Sequence, residues 1–244
     1  MVNLILDTDI WIAFIAKNNP SYILERLIEA RDNKEIELLS NEIIFQEWAR
    51  NKDETIRSVT NAIKGYYNSA RTLETLIPEA ERQKMQEVTV HFKSEAELIK
   101  AATDRVNKTE ELLHKCTIMP VSAEMKLEAI DMALNKRAPF NQKENSVGDA
   151  LNLLSSAGYC KAKSVDITNS IFVSFNHTDI ADKGKKDELH NDLKKMFAEA
   201  NIHYTRHIGE ALHLTAKMAQ EVAEYEDYLI ERYLDTDGDF ERNR

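Results

Sequence analysis

The chain opens on an apolar run, Val2-Asn3-Leu4-Ile5-Leu6, that stops abruptly at Asp7-Thr8-Asp9. A run of this length closed by polar residues predicts a strand buried on both faces of a parallel sheet. Ile36-Glu37-Leu38-Leu39 predicts a second, short strand, and the strongest strand signal after the first covers residues 170–175, ending in polar residues at 176–179. A last short strand is expected at 203–206. Between them, the apolar pattern continues over 10–16, and a helix is expected at 22–33. Ser40 offers an N-cap for a helix to about Arg50, and Ser146 one for a helix through Asp149, Leu151 and Leu154. A further helix is expected at 185–200.

The middle of the chain reads differently. Residues 53–135 contain no convincing strand and carry dense charge, broken mainly at Pro78 and Pro120. Leu73, Leu76 and Ile77 fit one helix, and Leu98, Ala101, Ala102 and Val106 recur at helical spacing in a longer one. The pattern predicts one α/β domain over 1–244, with a core of about 1–52 and 136–208 and a helical insertion of about 53–135. A C-terminal amphipathic helix and polar tail follow over about 209–244. No repeat is visible at periods of about 20–50 residues.

Composition narrows the function classes. The chain has 244 residues, 43% of them hydrophobic, enough for one large domain or a domain with a sizeable insertion. No stretch approaches the roughly 18–20 apolar residues of a membrane span, and the start lacks the pattern of a signal peptide. Two cysteines, Cys116 and Cys160, cannot make a disulfide framework. A reduced, cytoplasmic protein is the expectation. A net charge of −10 argues against a protein that coats nucleic acid, yet is compatible with carboxylates that hold divalent cations.

Four acids occupy positions that can converge. Asp7 ends the first strand, Asp179 lies just past the strand at 170–175, Glu47 sits one to two turns into the helix after the second strand, and Asp149 lies in a first helical turn. In a parallel sheet, strand ends and helix starts share one rim. Convergent carboxylates repel each other unless cations neutralise them, and hard oxygen ligands suit Mg²⁺ or Mn²⁺, which bridge to phosphate oxygens. Such a site can promote phosphodiester hydrolysis.

These residues carry a resemblance. Leu4-Ile5-Leu6-Asp7-Thr8-Asp9 resembles the strand that opens PIN domains, which usually ends Asp-Thr-Asn. Glu47, within Glu42-Ile43-Ile44-Phe45-Gln46-Glu47-Trp48, is similar to the second acid of that family, and Gly148-Asp149-Ala150-Leu151 to its third-acid motif. Phe172-Val173-Ser174-Phe175-Asn176, followed by Asp179-Ile180, looks like its last strand with a nearby Asp-Phe. Lys136-Arg137-Ala138-Pro139-Phe140, then Lys143, resembles a PIN-like branch with a long helical insertion and a basic loop before the third acid. The resemblance covers about 1–52 and 136–208.

What the resemblance implies is a PIN-like parallel sheet flanked by helices and a metal-dependent nuclease, most often acting on RNA. It implies Asp7, Glu47, Asp149 and Asp179 as metal ligands for Mg²⁺ or Mn²⁺, leaving a 5′-phosphate and a 3′-hydroxyl. Thr8, Asp9, Asn176 and Glu144 are candidates to support those ligands, and Arg137 and Lys143 to clamp a substrate phosphate. A toxin or defence effector fits the habits of the family. A structure-selective DNA endonuclease and a non-catalytic scaffold that binds partners through its helices are the alternatives. Self-association or a regulatory partner protein would suit the C-terminal helix, and no membrane is expected.

Two departures stand out. Asp9 replaces the usual Asn and adds a negative charge beside the site, and Asn176 stands where some members carry the fourth acid, leaving Asp179 to fill that role. Ile180 replaces a common Phe, which bears on packing. Other patterns are declined. Asp235-Thr236-Asp237-Gly238-Asp239 places its Gly too early for a calcium loop, His203 and His207 lack a further zinc ligand, and Cys160 has no base near it in sequence.

Overall fold

The computed structural model describes residues 1–15, 21–141, 146–163, 169–218 and 220. The elements run β1 (Val2–Leu6), α1 (Thr8–Ala13), α2 (Ser21–Asp32), β2 (Ile36–Asn41), α3 (Glu42–Glu74), α4 (Glu79–Thr89), a 3₁₀ turn (Val90–Phe92) and α5 (Glu95–Leu113). They continue with β3 (Thr117–Met119), α6 (Ala123–Leu134), α7 (Val147–Lys163), β4 (Ser170–Val173), α8 (His177–Ile180), β5 (Ala181–Asp182), β6 (Lys185–Leu189), α9 (Asn191–Glu199) and β7 (Ile202–Thr205). Residues 208–218 are helical.

Five strands form one parallel sheet in the order β3-β2-β1-β4-β7. Its centre is β1, whose five residues are all buried, because helices cover both faces. Leu4 and Leu6 point into one core with Trp11, Leu27, Trp48, Ala102 and Leu113. Ile5 points the other way, into a core with Leu39, Leu153, Phe172 and Phe197. The apolar run thus follows the period of two within a strand that has no solvent face.

Several elements differ from expectation. Ser40 is buried inside β2, and the cap of α3 is Asn41, whose side chain accepts from Ile43 N and Ile44 N. Helix α3 does not stop near Arg50 but runs for 33 residues, since no proline intervenes and the helix packs along α5. Glu110 of α5 accepts from Trp48 Nε1 at 3.1 Å and Lys52 Nζ at 2.6 Å, tying the two helices together. Of the expected Leu98, Ala101, Ala102 and Val106, all but the half-buried Ala101 are buried in α5, joined by Thr109, Leu112 and Leu113.

The stretch expected to lack strands contains β3, which pairs with β2 in the register Leu39↔Thr117 and Asn41↔Met119. It is three residues long, too short to show a period, and Ile118 at the sheet edge is exposed. The helix expected at 185–200 is divided. Lys185–Leu189 is a strand paired antiparallel with β5, and only Asn191–Glu199 is helical. Its charged residues offer no apolar stripe for a helix, and Gly184 at φ +83° makes the turn of the hairpin. The strand expected at 170–175 stops at Val173.

The helix and tail expected over 209–244 fall within the described residues only as far as 218 and at 220, and the calcium-like run at 235–239 lies outside them. Among the described residues no helix is long and apolar enough to cross a membrane. Cys116 and Cys160 are buried free thiols, both pushed up by burial, Cys116 to about 12.

Candidate functional site

All the strands of the main sheet point the same way, so the ends of β1, β2 and β4 and the starts of α1, α3 and α7 meet at one rim. Asp7 leaves β1 there, its backbone N–H still bonded to Val173 O at 3.0 Å. Its carboxylate is buried, 5% exposed, and receives three donors. Thr8 N (2.8 Å) and Asn152 Nδ2 (3.1 Å) bond Oδ1, and Ser174 Oγ (2.7 Å) bonds Oδ2. A buried carboxylate without such donors would cost several kcal/mol.

Glu47 approaches from α3. Thr8 Oγ1 donates to its Oε2 at 2.6 Å, so Thr8 at the start of α1 serves two acids, Asp7 through its N–H and Glu47 through its hydroxyl. The other oxygen lies over Gly148 in the first turn of α7, where a Cβ would stand 2.5 Å from Oε1. Glycine here allows the close approach of the carboxylate and serves no left-handed backbone conformation. Asp149 follows in the same turn, and Asn176 Nδ2 bridges Asp149 Oδ2 (3.3 Å) and Asp179 Oδ2 (3.0 Å). Asp179, in α8, is buried at 1% exposure.

Asp7, Thr8, Asp9, Glu47, Asp149 and Asn176 line one open cavity of 420 Å³ together with Ile12, Asn51, Phe175, His177 and Thr178. Asp179 stands behind it, linked through Asn176. Asp9 Oδ2 accepts from Phe175 N at 2.9 Å, whereas its Oδ1 is buried with no hydrogen-bond partner among the described residues. The extra charge at this position is therefore held against the β4 exit and faces the other acids.

The electrostatics follow from burial and crowding. Burial, with the neighbouring Glu47 charge, pushes the Asp7 carboxyl up despite its donors. Burial and the charge of Asp7 raise Asp9 to about 8, and burial with Asp7, Asp179 and Glu47 raises Asp149 to about 7. Among the described residues, no Lys or Arg lines this cavity to relieve the repulsion. The donor set is all oxygen and strongly anionic, which fits a hard divalent cation. The acids line a hollow and do not close on one point: among the described residues no three His, Cys, Asp or Glu side chains form a ready-made metal cage.

The other expected site residues lie apart. Arg137 faces a different hollow of 580 Å³, lined also by Met132, Leu154 and Leu193, where its Nη2 pairs with Glu128 (2.8 Å) and Asp131 (2.7 Å). Lys143 and Glu144 lie outside the described residues. The sequence reading missed Asn41, Asn152, Ser174 and Gly148. Asn152 carried a usable signal, since it is a lone amide within the apolar run Ala150-Leu151-Asn152-Leu153-Leu154, and buried amides need partners.

Fold and rim together define a parallel α/β protein with an acidic crevice at a strand-end edge. A family profile described as the PIN domain matches residues 4–180, and the chain belongs to the PIN domain family. The family is one of nucleases that generally use divalent metal ions. No curated protein and no solved structure matches the chain.

Proposed function

We propose that the protein is a metal-dependent endoribonuclease. The observation that carries this reading is the meeting of Asp7, Glu47 and Asp149 in one 420 Å³ cavity, with Asp179 joined to it through Asn176. Those four carboxylates would hold Mg²⁺ or Mn²⁺. A divalent cation there supplies positive charge for the phosphodiester oxygens and for a water nucleophile.

The remaining work falls to the chain. Thr8, Ser174 and Asn152 hold the Asp7 carboxylate in one plane, and Thr8 also holds Glu47. Asn176 bridges Asp149 and Asp179 by donating to both. Asn51, His177 and Thr178 sit where a strand entering the open cavity would pass. An open cavity, lined by Ile12 and Phe175 as well as by the acids, suits an extended polynucleotide better than a small molecule, which prefers an enclosed pocket. Hydrolysis by in-line attack of water would leave a 5′-phosphate and a 3′-hydroxyl.

The test is incubation of the purified protein with labelled RNA and labelled DNA, in Mn²⁺ or in chelator, beside Asp149→Asn. Chelator-sensitive RNA cleavage lost in the variant is expected. Cleavage of DNA alone would move the substrate to DNA. No cleavage of either polymer would leave the non-catalytic scaffold.

A further inference from the structure

Asn41 and Asn152 are buried amides, 0% and 2% exposed, that end on Asp7. The orientation of each follows from the one before it. Asn41 Oδ1 accepts from Ile43 N (3.0 Å) and Ile44 N (3.1 Å), and so is committed to the first turn of α3. Its Nδ2 must then face inward, where it donates to Asn152 Oδ1 (2.9 Å) and Ser155 Oγ (2.8 Å). With its oxygen taken, Asn152 has only Nδ2 left for Asp7, and donates it to Oδ1 at 3.1 Å.

The elements joined in this way carry three of the acids. Asn41 ends β2 and starts α3, the helix of Glu47. Asn152 lies one turn after Asp149 in α7, and Asp7 ends β1. From this we infer that Asn41 and Asn152 form a directional amide relay, in which the unpaired N–H groups of α3 set the donor polarity presented to the Asp7 carboxylate. Both are positioning residues, and the inference rests on the proposed carboxylate site. Asp7 Oδ1 takes its second donor from the relay and its first from Thr8, which fixes the plane of the carboxylate and the lone pairs left facing the cavity.

The direction of the relay makes it separable from the cap. Asn41→Asp retains a capping oxygen but replaces the inward donor with an acceptor, so Asn152 must turn its amino group back and oppose its oxygen to Asp7. Asn41→Ser also retains a capping oxygen, adds no charge and offers no amide donor. Asn152→Ala removes the last donor and leaves the cap intact.

The experiment measures Mn²⁺ binding by the loss of the free-ion electron paramagnetic resonance signal, RNA cleavage kinetics at 25 °C and melting temperature, for wild type, these three variants and Asp149→Asn. Both Asn41 variants and Asn152→Ala are expected to weaken Mn²⁺ binding by about 10-fold or more. The kcat should fall with KM for RNA unchanged, and Asn41→Ser, which buries no new charge, should melt closer to wild type than Asn41→Asp, whose carboxylate would be wholly buried. Wild-type Mn²⁺ affinity in either Asn41 variant, or a loss confined to variants whose melting temperature has collapsed, overturns the relay alone. A wild type that binds no Mn²⁺ overturns the carboxylate-site reading and the relay with it.

Discussion

Gly148 lies directly beneath the Glu47 carboxylate, where a Cβ would come within 2.5 Å of Oε1 and 3.6 Å of the carboxyl carbon. Two elements distant in sequence, α3 and α7, therefore meet through the absence of a side chain. Gly148→Ala obliges the end of the Glu47 side chain, whose Oε2 accepts from Thr8 Oγ1 at 2.6 Å, to shift. The backbone at 148 needs no left-handed conformation, so the helix itself should gain slightly from alanine. The expected outcome is a melting temperature within about 2–4 °C of wild type, with cleavage reduced at least about 10-fold. Glu47→Gln in the same background should add little further loss. Full activity in Glu47→Gln would remove Glu47 from the site, whereas full activity in Gly148→Ala alone would mean that the carboxylate gives way to the methyl group without cost.

The crowded acids predict an unusual pH dependence for the cation-free protein. Asp7, Asp9 and Asp149 are all raised in the folded chain, the last two to about 8 and about 7. A raised carboxyl favours the folded state while protonated, so that contribution is present at low pH and is lost as pH climbs through the folded values. Between about pH 4 and pH 8 these groups therefore make the cation-free protein progressively less stable. Melting in chelator should fall from pH 5.5 to pH 8.5, and Mn²⁺ should restore stability most at the alkaline end. Asp149→Asn should melt above wild type in chelator at pH 8 while losing cleavage. A melting temperature that rises with pH in chelator would contradict the buried, cation-demanding cluster.

Most of the sheet was legible because its strands are buried on two faces, which writes a continuous apolar run into β1 and a shorter one into β4. The short edge strand β3 was not, because three residues with an exposed Ile118 show no period, and pairing with β2 alone makes it a strand. Nor was the β5–β6 hairpin, whose Lys185-Lys186-Asp187-Glu188 run fits a solvated helix as well as an exposed strand. Its place was decided by a glycine turn and by the strand partner Ala181–Asp182.

The acids stood out for a different reason. Each ends a strand or lies within the first two turns of a helix, and parallel topology brings such positions to one rim whatever lies between them. The groups that hold them were hidden. Ser174 and Asn41 read as ordinary polar residues at element ends until the fold set Ser174 against Asp7 and Asn41 against Asn152. Charge was misleading at Arg137, where a nearby pair of acids on α6, Glu128 and Asp131, claims the guanidinium.

That pairing leads to a test. To reach a phosphate in the acidic cavity, Arg137 would have to leave both carboxylates and the hollow it lines. Arg137→Ala is expected to leave cleavage within about twofold of wild type. Because the pair is partly exposed, its loss should cost only about 0–1 kcal/mol of stability. A fall in RNA affinity with unchanged melting would restore Arg137 to the substrate path.

The tie between α3 and α5 separates stability from function. Glu110 accepts from Trp48 Nε1 and Lys52 Nζ, and Trp48 is only 3% exposed, one residue beyond Glu47. Glu110→Ala strands a buried indole N–H, at a cost of about 1–3 kcal/mol, while Glu110→Gln keeps an acceptor for it. The alanine variant should therefore melt several degrees below wild type, at about 2–4 °C per kcal/mol, and the glutamine variant nearer to it. Glu47 is positioned by Thr8 and by the space over Gly148, not by α5, so both variants should cleave at close to the wild-type rate at 25 °C. A large loss of kcat in Glu110→Gln without a change in melting would mean that the helical arm reaches the chemistry and does more than brace the fold.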